Sequence, residues 1–488
     1  MRAPGASALI VAVPAVLAMT LGLWQIDGPS YWADEGVSVA IASRPLADLP
    51  TVLRHMDLVH GLYYVLLHVV SSVAGTGEIA MRLPSAIATA VGTAVLVALG
   101  RRTASPATGL FAGLIYASLP VVSRYAQEAR QYALVSALVI SVTYLLVLAT
   151  EADRDRHRLR LWTAYTITLT ITAWLHLYAL FVLPAHGVML LCRHPRGAWM
   201  RWIVSATVVC ALTAPLALVA RTQFGLVSWI PRPDLATVRH LGWLVFGGNP
   251  AVIVTIMALA VLGVGAPIRP AVRIVALPWL VIPAGLMVVI SLIGQPIFYP
   301  RYVLHCVAAL ALAAGAGTAR VAAWAARRSP AAAYLLPAAL LVVLAGLIGP
   351  SQLAIREPLS RPDNLRALAH TLRDGARPGD AVLYVPAGNW MSTLPYPDSV
   401  ARLDTWSLHA DRFFGELPPD RFRHAATGLS RIWVVEGAKS YGNAVELRND
   451  ERFRRTAHWS FGTRQLSLYE RNDAGRQPRA VVATSPDK

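Results

Sequence analysis

The chain has 488 residues, 55% of them hydrophobic and 15% charged, with a formal net charge of +17. Its apolar residues fall in runs of about 17 to 20, the length that crosses about 30 Å of hydrocarbon, and this excludes an ordinary soluble globular enzyme. The arginines cluster in short stretches between those runs and in the C-terminal part, so the positive charge marks topology and not a nucleic-acid surface.

Residues 6–24 read as a first membrane helix and not as a cleaved signal, because no small-x-small site follows before Trp24. Further spanning candidates lie near 83–100, 106–123, 132–150, 161–176, 178–192, 202–220, 250–267, 274–293, 302–319 and 331–349, about eleven helices with the first. Arginine clusters at Arg101–Arg102, Arg154–Arg160, Arg193–Arg201, Arg269 with Arg273, and Arg320–Arg328 make every second loop basic. Cytoplasmic loops carry the arginine excess, so the N-terminus is expected inside. An odd helix count then puts the C-terminal region outside. The run Gly61–Ala74 would invert every later loop if it crossed, and is expected to be an interfacial or re-entrant helix on the outer face. Trp174-Leu175-His176-Leu177-Tyr178 leaves almost no loop between two candidate spans. Cys192, Cys210 and Cys306 show no CxxC spacing and are expected to be buried, inert thiols.

After Pro350 the hydropathy falls to that of a small α/β domain. Helix is predicted over Asn364–Arg373 and Val445–Arg454, and strand over Ala381–Val385, Arg431–Val435 and Gln465–Tyr469. The division expected is a membrane domain over 1–349 with a first outer loop near 25–82, an extracytoplasmic domain over 350–472, and a polar, disordered tail over 473–488.

In this topology Asp27, Asp34, Glu35, Asp57, Glu78 and Glu128 all fall on the outer side, at or near helix ends. The first outer loop reads Tyr31-Trp32-Ala33-Asp34-Glu35, where a carboxylate can serve as general base or cation ligand. Its aromatics equally suit an interfacial belt. A second cluster, Arg124-Tyr125-Ala126-Gln127-Glu128-Ala129-Arg130-Gln131-Tyr132, joins two membrane helices. Arg124 and Glu128 at i,i+4 allow a local ion pair, while ionisable groups at membrane depth tend to mark functional cavities. A third, Tyr299-Pro300-Arg301-Tyr302 with His305, offers an arginine fork for phosphate or a snorkelling interfacial cation.

Taken in order, these pieces resemble the C-type (GT-C) superfamily of integral-membrane glycosyltransferases, specifically bacterial relatives of glycosyltransferase family 39, the protein O-mannosyltransferases and aminoarabinose transferases. The marks are Asp34-Glu35, His60-Gly61-Leu62-Tyr63-Tyr64, Arg82-Leu83-Pro84-Ser85, Arg124 to Tyr132, His176-Leu177-Tyr178 and Pro300-Arg301-Tyr302. Where this chain has Gly61-Leu62 the family usually carries prolines. The resemblance implies a polytopic α-helical GT-C fold in the cytoplasmic (inner) membrane. It also implies a polyprenyl-phosphate sugar donor and transfer on the outer face to a lipid, glycan or protein acceptor, with no nucleic-acid partner. Asp34 would be the base in an inverting reaction, and Glu35 and Glu128 would orient the acceptor or hold a divalent cation. Arg82, Arg124, Arg130 or Arg301 would stabilise the leaving phosphate, and His60, Tyr63, Tyr132, His176, Tyr178 and Tyr302 would line the substrate site. His60 and His176 with the carboxylates offer metal donors, yet no metal-ligand spacing is present, so the metal stays unknown.

Two other classes suit the same features. A transporter or flippase for a lipid-linked or anionic substrate would show internal repeats, which this sequence lacks, and acidic groups at the midplane instead of in a loop. A non-catalytic scaffold binding polyprenyl lipids would tolerate loss of Asp34. The C-terminal domain carries no catalytic motif and is read as structural or acceptor-binding.

Overall fold

The computed structural model describes residues 4–193, 197–265, 270–410, 415–437 and 442–472. Arg269 and the predicted tail over 473–488 lie outside the described residues, as does part of the Arg193–Arg201 cluster. The chain forms two compact units. The first comprises the segment ending at Ile26, Leu53–Leu66 and Arg82–Ile355, and the second Asp27–Val52, Leu67–Met81 and the chain from Arg356 onward.

Helix α1 (Pro4–Leu23) is followed by three short helices, α2 (Ala33–Ala42), α3 (Leu49–His55) and α4 (Gly61–Ala74). Long apolar helices come next: α5 (Glu78–Thr103), α6 (Pro106–Ser118), α7 (Pro120–Ala126), α8 (Tyr132–Glu151), α9 (Asp155–Leu175), α10 (Val182–Arg193) and α11 (Ala198–Thr222). The series closes with α12 (Leu235–Phe246), α13 (Pro250–Val264), α14 (Pro270–Ile293), α15 (Cys306–Ala326) and α16 (Ala332–Ala354). Among the described residues six helices are long and apolar enough to cross a membrane, or eight if each bent pair is one span.

All eleven predicted segments fall on helix, with three local departures. The 106–123 segment breaks at Leu119–Pro120 with a 66° bend, because Pro120 lacks an N–H and holds Leu119 in extended backbone. Between α9 and α10, His176 is extended and a 3₁₀ turn follows over Leu177–Phe181. Helix α12 was not predicted: Asp234 and Thr237 form a capping box at its start, and Gly247 and Gly248, both at positive φ, turn the chain 87° into α13. Of the three cysteines only Cys306 is buried; Cys192 and Cys210 are exposed, against the expectation that all three would be buried.

Small residues let the helices of this unit approach closely. A Cβ on Gly263 of α13 would run into the Ala313 carbonyl of α15, and one on Gly317 into the Leu259 carbonyl of α13. Without a hydrophobic driving force between helices in lipid, such backbone contact supplies the packing.

The second unit holds a four-stranded sheet in the order β1-β2-β4-β3, with β1 (Ala381–Val385) parallel to β2 (Arg431–Glu436) and β4 (Arg464–Arg471) antiparallel to β2 and β3 (Phe453–Phe461). Leu383, Val385, Phe422, Ile432, Val434 and Leu447 form its core, with α17 (Leu365–Gly375), α18 (Pro419–Ala425) and α19 (Asn443–Asn449) beside the sheet. The helix predicted over Val445–Arg454 stops at Asn449, and Phe453 begins β3. That strand escaped the pattern because it is an edge: Arg454 and Arg455 are exposed, so alternation is blurred while the charges protect the open ladder.

Candidate active site

Between α7 and α8 the first unit carries the polar segment 127–131, which neighbouring helices fasten. On α5, Ser85 Oγ donates to the carbonyls of Glu128 at 2.7 Å and Arg130 at 3.2 Å. Gln127 Nε2 donates to the Trp24 carbonyl at 2.7 Å. Arg82, fully buried, donates from Nη1 to the Ile26 carbonyl at 2.7 Å and so anchors the end of α1. Arg124 Nη1 meets Glu128 Oε2 at 3.1 Å, and this glutamate is fully buried. The i,i+4 pair foreseen as a local alternative therefore exists.

Asp57 opens a second cluster. Its backbone is left-handed, φ 53°, a conformation that aspartate tolerates better than most residues and that aims its side chain back along the following turn. The Tyr64 hydroxyl donates to Asp57 Oδ2 at 3.0 Å, His60 Nδ1 stands 3.7 Å from Oδ1, and Arg130 Nη1 donates to the Tyr64 oxygen at 3.5 Å. Burial alone would raise the Asp57 pKa; His60, Arg130 and the Tyr64 hydroxyl together hold it below the ordinary carboxylate range. Gln223 steadies the same turn, accepting from Leu58 N at 3.1 Å and donating to the Leu53 carbonyl at 2.8 Å.

The third cluster is aromatic and cationic. His176 packs on Tyr302 at 5.0 Å, Tyr178 at 5.5 Å and Tyr132 at 5.9 Å between ring centroids. Arg301, 8% exposed, lies over Tyr299 at 4.8 Å, Tyr132 at 5.4 Å, and Trp229 and Tyr302 at 5.9 Å. His60, His305, Arg301 and Arg130 all lie close enough to His176 to act on it electrostatically. The three clusters of this unit thus gather cations and polarisable rings, a setting suited to an anion held beside an apolar chain.

Asp34 and Glu35 sit in the second unit, in the first turn of α2, where the helix dipole favours negative charge; Glu35 is fully buried. Tyr63 is fully buried on α4. Sequence reasoning named Asp57 among the outer acids and Tyr64 within the His60–Tyr64 motif without giving either a role, and passed over Trp229 and Gln223. The three-residue spacing from Asp57 to His60 was the one available signal. Among the described residues no group of three His, Cys, Asp or Glu side chains is arranged to hold a metal ion.

Residues 62–220 match the family model described as dolichyl-phosphate-mannose-protein mannosyltransferase. The comparison with curated proteins found no match. Among solved structures, apo ArnT from Cupriavidus metallidurans aligns with a TM-score of 0.62 at 17% identity, covering 96% of this chain and 98% of that one. The same protein bound to undecaprenyl phosphate aligns with a TM-score of 0.62 at 17% identity, covering 98% and 100%. The mycobacterial arabinofuranosyltransferase AftD aligns with a TM-score of 0.52 at 15% identity, covering 96% of this chain and 41% of that one.

Proposed function

We propose that this chain, a multi-pass membrane glycosyltransferase of the GT-C class similar to glycosyltransferase family 39, moves a sugar from a polyprenyl-phosphate donor to an acceptor hydroxyl on the outer face of the cytoplasmic membrane, with inversion and with Asp34 as base. The acceptor oxygen bonds to the anomeric carbon as its proton passes to the Asp34 carboxylate. The bond from that carbon to the phosphate oxygen breaks, and the electron pair leaves on the polyprenyl phosphate. Arg301 and Arg130 offset the charge that grows there, as preorganised donors in a site of low dielectric. Glu35 and Glu128 orient the acceptor or hold a divalent cation.

The observation that carries the donor half is the ring-enclosed Arg301 beside His176 and Tyr302. It supplies a desolvated cation for a phosphate on an isoprenoid chain, and the ArnT structure that holds undecaprenyl phosphate has the same fold. The base assignment rests on the family resemblance at Asp34-Glu35 and on their place in the first turn of α2.

The test is turnover. Purified protein is incubated with a panel of labelled undecaprenyl-phosphate sugars and candidate acceptors, and Asp34→Asn is expected to lose about 10²- to 10⁴-fold in rate while folding normally. Transfer by Asp34→Asn at the rate of the native chain would remove Asp34 from the chemistry. Release of no sugar from any donor would remove the donor class.

A further inference from the structure

We infer that Asp363 is a positioning residue for the proposed base, and that the C-terminal domain serves the reaction by holding helix α2 in place. The inference rests on the reading of Asp34 given above, and it answers whether that domain is structural or acceptor-binding.

Asp363 is 2% exposed, and both its oxygens are used. Oδ2 accepts from the backbone N–H of Ala33, the first residue of α2 and the neighbour of Asp34, at 3.0 Å. Oδ1 accepts from Thr463 N at 2.8 Å and from its hydroxyl at 2.5 Å. Thr463 stands in the turn that joins β3 to β4, beside Gly462 at φ 81°, where a Cβ would collide with the Pro362 carbonyl. Asp363 also bridges Gly462 through the backbone. One carboxylate therefore ties the tip of a hairpin to the start of the helix that bears Asp34 and Glu35. It takes an N–H that the helix cannot satisfy internally and adds negative charge where the helix dipole welcomes it.

Further contacts hold the same helix. Leu365 N donates to the Tyr31 carbonyl at 3.2 Å and Arg366 N to Ser30 Oγ at 2.8 Å, both just before α2. The Arg366 guanidinium reaches Glu78 Oε1 and the Asp27 carbonyl, each at 2.7 Å. A Cβ on Gly36 would meet Leu365 Cδ1 at 2.8 Å and the Met391 carbonyl at 3.0 Å, so α2 lies directly against the domain. A base that must take a proton from a particular oxygen loses rate when its helix drifts, even if substrate still binds, and a misplacement near 1 Å costs about 100-fold.

The experiment uses the full-length detergent-purified chain with Asp363→Ala, Asp363→Asn and Thr463→Val. Asparagine keeps the size of the side chain but must turn its NH2 toward one of the two donor sets, so it breaks one side of the tie. Hydrogen exchange is expected to rise over residues 33–42 in Asp363→Ala, and less in the other two, while the strands Ala381–Val385 and Arg431–Glu436 stay protected. With the undecaprenyl-phosphate sugar that turnover identifies, kcat is expected to fall by about 10- to 100-fold with the donor KM unchanged. If Asp363→Ala fails to fold, the asparagine and valine variants carry both readouts. Unaltered protection of 33–42, or unaltered kcat, in all variants that fold overturns the inference. Full activity of Asp34→Asn would instead strike the base assignment, leaving the exchange result to stand or fall alone.

Discussion

Arg301 stands on the 3₁₀ turn Pro300–Val303 among four aromatic rings, buried yet charged. Rings attract a guanidinium, and its planar fork can add charge-assisted hydrogen bonds to a phosphate. A charge-assisted hydrogen bond of this kind contributes about 1.5–3 kcal/mol. Arg301→Ala is therefore expected to raise the donor KM roughly 10- to 100-fold, and Arg301→Lys to recover part of it, since a lysine keeps the charge without the planar fork. Donor titration at saturating acceptor measures this, and an unchanged KM would assign the residue to packing. Sequence reading reached this arginine because charge beside Tyr-Pro and Tyr is visible in one dimension. It did not reach Trp229, which joins the enclosure from a remote segment, or the pairing of Asp57 with Tyr64, which needs the left-handed backbone at Asp57 to be known first.

Helix identity was legible wherever an apolar run was long, because length and hydropathy alone specify a helix in lipid. The breaks were less so. Leu119–Pro120 and Gly247–Pro250 carry the residues that permit a bend, yet proline also occurs inside α11, α14 and α16, and glycine inside α14 and α16, which remain single helices. Within the bundle, small residues set the closeness of the packing, as between α13 and α15, where Gly263 and Gly317 let the two backbones touch. Gly263→Leu is expected to destabilise the protein in detergent by about 1–3 kcal/mol or more through overpacking, whereas Gly285→Leu, with nothing within 4 Å of its Cβ, should be neutral. Thermal unfolding of the two variants side by side checks this; equal midpoints would deny the close contact its role.

At the scale of the molecule, the sequence did not carry the fact that Asp27–Val52 and Leu67–Met81 pack with the chain from Arg356 onward, since that requires residues more than 300 positions apart to meet. The consequence is a parity rule. If the second unit stands on one face of the membrane, an even number of crossings lies between Leu67–Met81 and the chain from Arg356 onward. Among the described residues the eight spans counted by length, with each bent pair as one, run from the helix that starts at Glu78 to the one that ends at Ala354, and satisfy the rule. Helices α9 and α10 must then both cross or both stay out. The arginine clusters at Arg154–Arg160 and Arg193–Arg201 do not decide between these, because either choice leaves the two on one side. His176 and Tyr178, at the turn between α9 and α10, are assigned to an outward-facing site, which requires both helices to cross. In a cysteine-free background, Trp174→Cys and Gly77→Cys are therefore expected to react with an impermeant maleimide in intact spheroplasts, and Arg156→Cys only after permeabilisation. Labelling of Trp174→Cys together with Arg156→Cys would leave α9 and α10 uncrossed and remove His176 and Tyr178 from the site. Labelling of Gly77→Cys only from the inside would place the proposed base in the cytosol and end the assignment of an outer-face reaction.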